Sequence, residues 1–329
     1  MFFSVIIPLY NRPDEIRELL DSLVRQTEKN FEVIIVEDGS SICSEAIVEE
    51  FSTRLNITYY FKENTGPGTT RNYGAERAKG DYLVFFDSDC ILDPDYFSAM
   101  EKSLLESKAD AYGGPDRAHA SFTNIQKAIN YAMTSFFTTG GIRGGKKKMD
   151  VFYPRSFNMG ISKKVFQELN GFADMRFGED VDFSIRIIKT GYKTCLIPEA
   201  YVYHKRRTDF WQFYKQVHNS GIARINLHLL HPGTLKLVHM LPSAFFLGCC
   251  VLLLLSVLSP LFLLPIAAFI LIVWVDSLIK NKNLMVAFAS IVASFVQLFS
   301  YGLGFLRAFW KRILKQEGEF KAFTKNFYK

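Results

Sequence analysis

The chain has 329 residues, 49% of them apolar, and a formal net charge of +6. That length accommodates one large domain plus an additional region, and the apolar excess is concentrated from about Leu237 onward. So modest a charge argues against a nucleic-acid binder, and the basic residues lie mostly near the apolar region, where anionic lipid is the better-matched partner. Cys43, Cys90, Cys195, Cys249 and Cys250 are odd in number and lack paired ligand spacing. A disulfide framework or zinc site is therefore not expected, and a reducing compartment fits.

Met1 leads directly into Phe2-Phe3-Ser4-Val5-Ile6-Ile7-Pro8, which reads as a first strand and not a signal peptide. The turn Asn11-Arg12-Pro13-Asp14 follows, then a helix with Ile16, Leu19, Leu20 and Leu23 on one face. The pattern repeats: strand 32–36, the turn Glu37-Asp38-Gly39-Ser40-Ser41 and a helix to about Leu55, then strand 57–61 and a helix over 70–78. Residues 82–86 are five consecutive apolar side chains, too few for a helix, bounded by Gly80-Asp81 and Pro94, and they read as a strand buried on both faces. Strands alternating with helices over short connections predict an α/β domain with a mostly parallel, doubly wound sheet.

Three of these four strands stop at polar residues suited to a nucleotide: Tyr10 and Asn11, then Asp38, then Asp87 and Asp89. Ligands bind at the carboxyl edge of such sheets, and hard carboxylate oxygens there suit a divalent cation and a diphosphate. One Asp after a strand, or one D-x-D, is more commonly a cap or turn; three strand ends on one edge favour the site. The segment Glu63-Asn64-Thr65-Gly66-Pro67-Gly68-Thr69-Thr70-Arg71 matches neither a Walker A loop nor a dinucleotide fingerprint. It presents Arg71 either as a diphosphate clamp or as an ordinary surface arginine.

Further along, a helix from Pro94 to about Ser107 and a short strand at 111–114 precede an amphipathic stretch at 122–138, which is either a core face or a membrane-surface helix. Residues 139–150, with Lys146 among glycines, form a candidate lid or acceptor loop. Glu179 and Asp180 open a helix that carries Val181, Ile185 and Ile188 on one face and stops at Gly191, a position where capping is the local explanation. A strand over 192–196 continues toward His204, followed by Lys205-Arg206-Arg207.

The ordered set Val5-Ile6-Ile7-Pro8-Leu9-Tyr10-Asn11, Val36-Glu37-Asp38-Gly39-Ser40, Thr70-Arg71-Asn72-Tyr73-Gly74 and Phe86-Asp87-Ser88-Asp89 resembles family 2 of the inverting, nucleotide-sugar-dependent glycosyltransferases with the GT-A fold, over about residues 2–210. The resemblance implies that Asp38 reads the nucleobase, that Pro8 and Tyr10 line its pocket, that Arg71 supports the nucleotide and that Asp87 approaches the ribose. It also implies that Asp89 binds Mg²⁺ or Mn²⁺ with His204 as second ligand, and that Asp180 is the catalytic base. Processive members carry Gln-x-x-Arg-Trp; Trp211-Gln212-Phe213-Tyr214-Lys215 does not match it, which favours transfer of a single sugar from a nucleotide-diphospho-sugar to a hydroxyl acceptor. A nucleotide-sugar-binding sensor or assembly protein without turnover is the alternative; intact Asp89 and Asp180 argue against it.

Three apolar blocks close the chain, at 237–258, 261–279 and 284–306, each near the ~20 residues that cross ~30 Å of hydrocarbon. The expected organisation is a GT-A domain over 1–230, a membrane region over 231–310 and a basic tail over 311–329. It belongs in the inner (plasma) membrane as a multi-pass protein with a cytoplasmic catalytic domain, and a lipid-linked acceptor in cell-surface glycan synthesis fits that anchor. Two crossings return Lys280 and Lys282 to the inside, whereas a third would place Arg307, Lys311, Arg312 and Lys315 outside, against the positive-inside rule. An even number of crossings is expected, with the third block lying in the interface or re-entering, unless a block boundary is misplaced.

Overall fold

A computed structural model describes residues 1–119, 121–140 and 152–320. The candidate lid at 139–150 therefore falls largely outside the described residues, as do residues 321–329 of the tail at 311–329. In chain order the elements are β1 (Phe3–Leu9), α1 (Pro13–Val24), β2 (Phe31–Asp38), α2 (Glu45–Glu49), β3 (Ile57–Lys62), α3 (Pro67–Arg77), β4 (Tyr82–Phe86), β5 (Cys90–Leu92), α4 (Tyr96–Ser107), β6 (Ala111–Gly113) and β7 (Asp116–Arg117). They continue with α5 (Asn124–Thr134), α6 (Phe136–Thr139), β8 (Asn158–Ser162), α7 (Lys163–Glu168), α8 (Glu179–Lys189), β9 (Thr194–Leu196), β10 (Val202–His204), α9 (Phe210–Leu230), α10 (Leu241–Leu255), α11 (Leu264–Asn281) and α12 (Leu284–Ala308). The chain divides into two compact units: one holds 1–117 and the described part of 146–204, the other the described part of 118–145 and 205–320.

The first unit is built on a seven-stranded sheet of order β3-β2-β1-β4-β8-β6-β9. Strands β3, β2, β1 and β4 are parallel, as expected; β8 runs antiparallel between β4 and β6. Side chains along a strand alternate between faces; β4 is apolar at every position and β1 at all but Ser4, whose hydroxyl donates to Glu32 at 2.6 Å, so each feeds two cores. Phe3, Val5, Ile7 and Leu9 with Val84 and Phe86 pack against Ile16, Leu19, Leu20 and Leu23 of α1 on one face. Ile6, Leu83 and Phe85 meet Ala75 of α3, Phe172 and Phe183 on the other. Helix α3 lies so close to the sheet that a Cβ at Gly74 would sit 2.6 Å from Ile6 Cγ2. A second sheet of order β5-β10-β7 stands beside the β4 end, with His204 directly opposite Cys90.

The second unit is organised around α12, which packs against α5, α9, α10 and α11. Ala128, Ile129, Ala132 and Met133 of α5 join Phe213 and Val217 of α9 around Val286 and Ala293. Backbones touch where α9 meets α12: a Cβ on Gly304 would lie 2.1 Å from the His218 carbonyl oxygen, and one on Gly221 2.3 Å from that of Tyr301. The small polar residues of the third apolar block serve this packing, Ser290, Ser294 and Ser300 being buried and Ser277 bonding Ser290 at 2.7 Å. By length and composition, two helical stretches suffice to cross a membrane, Pro260–Asn281 and Leu284–Leu314. Helix α9 falls within the second unit, where Phe213, Val217 and Ile225 of its apolar stripe are buried.

Candidate active site

Strand β1 ends at Leu9, and the next turn is fixed by Asn11, whose positive φ of 50° is a conformation asparagine tolerates. Its side-chain oxygen accepts from the Ser41 and Ile42 amides at 2.9 and 3.0 Å, binding the ends of β1 and β2 together. Pro8 and Tyr10 are half-buried at this edge. Asp38, 4% exposed at the end of β2, is fully engaged. Its carboxylate accepts from the Thr65 amide at 3.0 Å, the Gly66 amide at 2.9 Å and Lys62 Nζ. It therefore shapes the loop that opens α3.

One turn into α3, Arg71 is 3% exposed and its planar fork spans two carboxylates. Nη2 donates to Asp87 Oδ1 at 2.5 Å and Nη1 to Glu179 Oε1 at 3.1 Å. Gly68 permits this approach, since a Cβ there would meet the Ala173 carbonyl at 3.0 Å and Glu179 Cγ at 3.3 Å. Asn72 fastens the same region by exchanging two hydrogen bonds with the backbone of Phe172, at 2.8 and 2.9 Å. Arg71 thus ties the Asp87 edge to the start of α8.

Helix α8 opens after Gly178, at a φ of 86°. Burial pushes the Glu179 carboxyl up to about 7, the neighbouring Asp180 charge adding to it and Arg71 opposing it. Burial also raises Asp180, but Arg155 donates from Nε to Asp180 Oδ2 at 2.6 Å and, with Arg71, holds that carboxyl below its ordinary range. Asp180 is consequently ionised at neutral pH, the form that accepts a proton.

At the end of β4, Asp89 faces His204, with Oδ1 and Nε2 3.1 Å apart, and Arg12 Nη1 lies 3.5 Å from Oδ2. The register of β5 on β10 produces this pairing, and Phe157 stacks on the imidazole at 4.8 Å. Asp89, Cys90 and His204 offer ligand atoms within 4.8 Å of one another. Burial pushes the Cys90 thiol well up, and its sulfur contacts the Phe157 carbonyl at 3.4 Å; a soft sulfur also matches a hard cation less well than a carboxylate does. The remaining carboxylate and imidazole form a donor set that fits Mn²⁺ well and Mg²⁺ less well.

Of the residues singled out in the sequence, Arg71, Asp87, Asp89, His204 and Asp180 are thus linked by direct contacts or by sequence neighbours. Asp38 joins them through the loop before α3, while Pro8 and Tyr10 stand on the adjoining strand end. Sequence reasoning did not identify Arg155, Arg12 or the tie from Arg71 to Glu179. The last pair is 108 positions apart, and Arg155 sits in no periodic pattern.

Comparison with known proteins agrees with this architecture. The chain is 40% identical over 108 residues to the glycosyltransferase GlyA of Streptococcus pneumoniae serotype 4, covering 32% of this chain and 16% of that protein. It is 26% identical over 212 residues to the uncharacterized glycosyltransferase EpsJ of Bacillus subtilis, 61% of this chain and 60% of that one. The matched stretch is thus less than two thirds of either relative. In fold it is similar to the mannosyltransferase PcManGT from Pyrobaculum calidifontis in complex with GDP-Man and Mn²⁺, with a TM-score of 0.61 at 15% identity over 94% of this chain and 87% of that one. It is also similar to S. aureus TarS 1–349 in complex with UDP-GlcNAc, with a TM-score of 0.53 at 19% identity over 93% of this chain and 92% of that one. The family model for glycosyl transferase family 2 matches residues 4–169, half of the chain, and with the GT-A-like sheet and its carboxylate-lined edge this establishes that the protein belongs to glycosyl transferase family 2.

Proposed function

We propose that the protein is a membrane-associated, inverting glycosyltransferase that moves one sugar from a nucleotide-diphospho-sugar to a hydroxyl acceptor, lipid-linked and destined for a cell-surface glycan. The observation that carries this reading is the Asp87–Arg71–Glu179 bridge, which joins the cation-suited Asp89–His204 pair to the ionised Asp180. The donors held by the fold neighbours, UDP-GlcNAc in TarS and GDP-Man in PcManGT, support a nucleotide-sugar donor here.

In this reading Asp180 takes the proton of the attacking hydroxyl, because inversion requires a base on the face opposite the leaving group. Asp38 shapes the base pocket bordered by Pro8 and Tyr10, Asp87 meets the ribose, and Arg71 supports the nucleotide by fixing Asp87. Asp89 and His204 would hold Mg²⁺ or Mn²⁺, which when bound neutralises charge on the diphosphate leaving group. Buried Glu179 holds Arg71 in place and keeps Asp180 at the start of α8.

The test uses purified full-length protein with Mn²⁺ and a panel of nucleotide sugars, reading released nucleoside diphosphate. Asp180→Asn is expected to abolish turnover while binding donor as the parent does. If no donor is turned over by the parent, yet one is bound and Asp180→Asn binds it equally, the chain is a nucleotide-sugar sensor instead.

A further inference from the structure

The apolar C-terminal region contains a stretch with no charge to mark a far side. Between Lys236 and Asp276 no Asp, Glu, Lys or Arg occurs. Residues 250–272, all of them described, also include no buried residue: the nearest buried positions are Cys249 on α10 and Val273 on α11. The two helices meet α12 on the base side of the tip, through residues up to Phe269. There Ser243 bonds the Gly302 carbonyl at 3.3 Å, Phe245 and Phe269 meet Phe295, and Ser277 bonds Ser290. Beyond these contacts the pair forms a hairpin whose tip is apolar and bare, with Val257 86% exposed, Leu258 79% and Leu261 71%.

Two membrane spans joined by a short loop must bring that loop into water on the far side, where polar residues are favoured. Here the tip offers only Ser256 and Ser259, and α10, at 15 residues, is about 22 Å long, short of the ~30 Å of a bilayer core. Helix α12 presents the complementary difficulty. Its seam with α9 is lined by backbone contacts, and α9 carries Lys215, Asn219 and Arg224, which cannot share hydrocarbon with a spanning partner at low cost. Asp276 ties the base of the hairpin to α5, accepting from Tyr131 Oη at 2.7 Å and Lys280 Nζ at 2.9 Å. The cations flank the apolar hairpin in the sequence: Lys236 precedes it, Lys280 and Lys282 follow it, Arg307 lies in the last turn of α12, and Lys311 and Arg312 come just after that helix.

From this distribution we propose that α10 and α11 form a re-entrant hairpin inserted into one leaflet of an anionic bilayer, and that α12 lies in the interface, so that no segment of 205–320 crosses the membrane. The proposal rests on the membrane association proposed above. It removes the conflict with the positive-inside rule, since Lys236, Lys280, Lys282 and the cations after Arg307 all remain on one side.

The test labels thiols in sealed membrane vesicles containing the full-length protein, from each side in turn, with an impermeant maleimide, and reads each site by peptide mass spectrometry. The variants are Leu258→Cys at the tip and Lys282→Cys and Lys315→Cys at the base. A thiol in hydrocarbon does not ionise and does not react, so Leu258→Cys should be labelled only after detergent, and the other two from the same side as each other. Labelling of residue 258 from either side overturns the insertion, and labelling of 282 and 315 from opposite sides overturns the in-plane α12. Val257→Cys, equally bare, replaces Leu258→Cys should that variant not accumulate. Alkaline carbonate extraction of the parent would overturn the insertion, whereas recovery of the parent in the soluble fraction at neutral pH and low salt would refute membrane association itself, a result separable from either topological failure.

Discussion

Replacing Arg71 by Met should expose how much of the site's stability one side chain carries. In the parent its fork neutralises Asp87 and Glu179, and it is 3% exposed with Glu179 buried beside it. Removing one partner of a buried ion pair strands the other charge and costs about 3–5 kcal/mol; for a unit of this size each kcal/mol lowers the melting temperature by roughly 2–4 °C, so a fall of about 6–20 °C is expected. Glu179 gives the loss a pH signature. Its folded-state carboxyl is raised to about 7 from 4.5, so protonation favours the folded protein: the contribution is fully present below about pH 4.5 and is lost as pH rises through 7. Arg71→Met should therefore be most damaging above pH 7, and Arg71→Met with Glu179→Gln should recover part of the loss there. The assay is thermal unfolding of the detergent-purified protein from pH 5 to 8.5. A shift in Arg71→Met of under about 2 °C, or a double variant no better than the single one, would refute the reasoning.

Asp89→Ala should weaken Mn²⁺-dependent nucleotide binding, with His204→Ala weakening it less because a carboxylate contributes charge as well as a lone pair; calorimetric titration with and without Mn²⁺ checks this, and unchanged metal dependence removes Asp89 from the site. Asp38→Ala leaves the Thr65 and Gly66 amides without their acceptor, and a loss of about 1–3 kcal/mol for a buried unsatisfied group is expected, read as faster amide exchange at the start of α3. Gly304→Val places side-chain atoms where the His218 carbonyl already stands, 2.1 Å from the Cβ position; proteolysis between α9 and α10 should accelerate, and unchanged protection would show that the α9–α12 contact is dispensable.

The strands β1 to β4 were legible because each is a short apolar run closed by turn residues, and such runs have few alternatives. Strand β8 was not. Its sequence Asn158-Met159-Gly160-Ile161-Ser162 is short and carries a glycine whose Cβ would meet the Tyr112 ring at 2.0 Å, so its placement depends on a neighbour remote in sequence. The acidic strand ends were visible as isolated residues, but what each one touches was not. Asp38 reads locally as a turn residue, yet its carboxylate organises a loop 27 positions later. The Arg155–Asp180 pair likewise depends on tertiary contact alone. The stretch at 122–138 resolved into two helices where one was expected, α5 ending before Ser135, whose hydroxyl then caps α6.

The ladder between β5 and β10 is only three residues long, yet it decides which side chain stands beside Asp89. Because neighbouring positions on a strand face opposite ways, slipping that ladder by a single place would turn the imidazole outward and offer Tyr203 or Lys205 in its stead. Adding or deleting one residue in the connection between Leu196 and Val202 should thus be as harmful as losing His204, although no atom of the centre itself would have been altered.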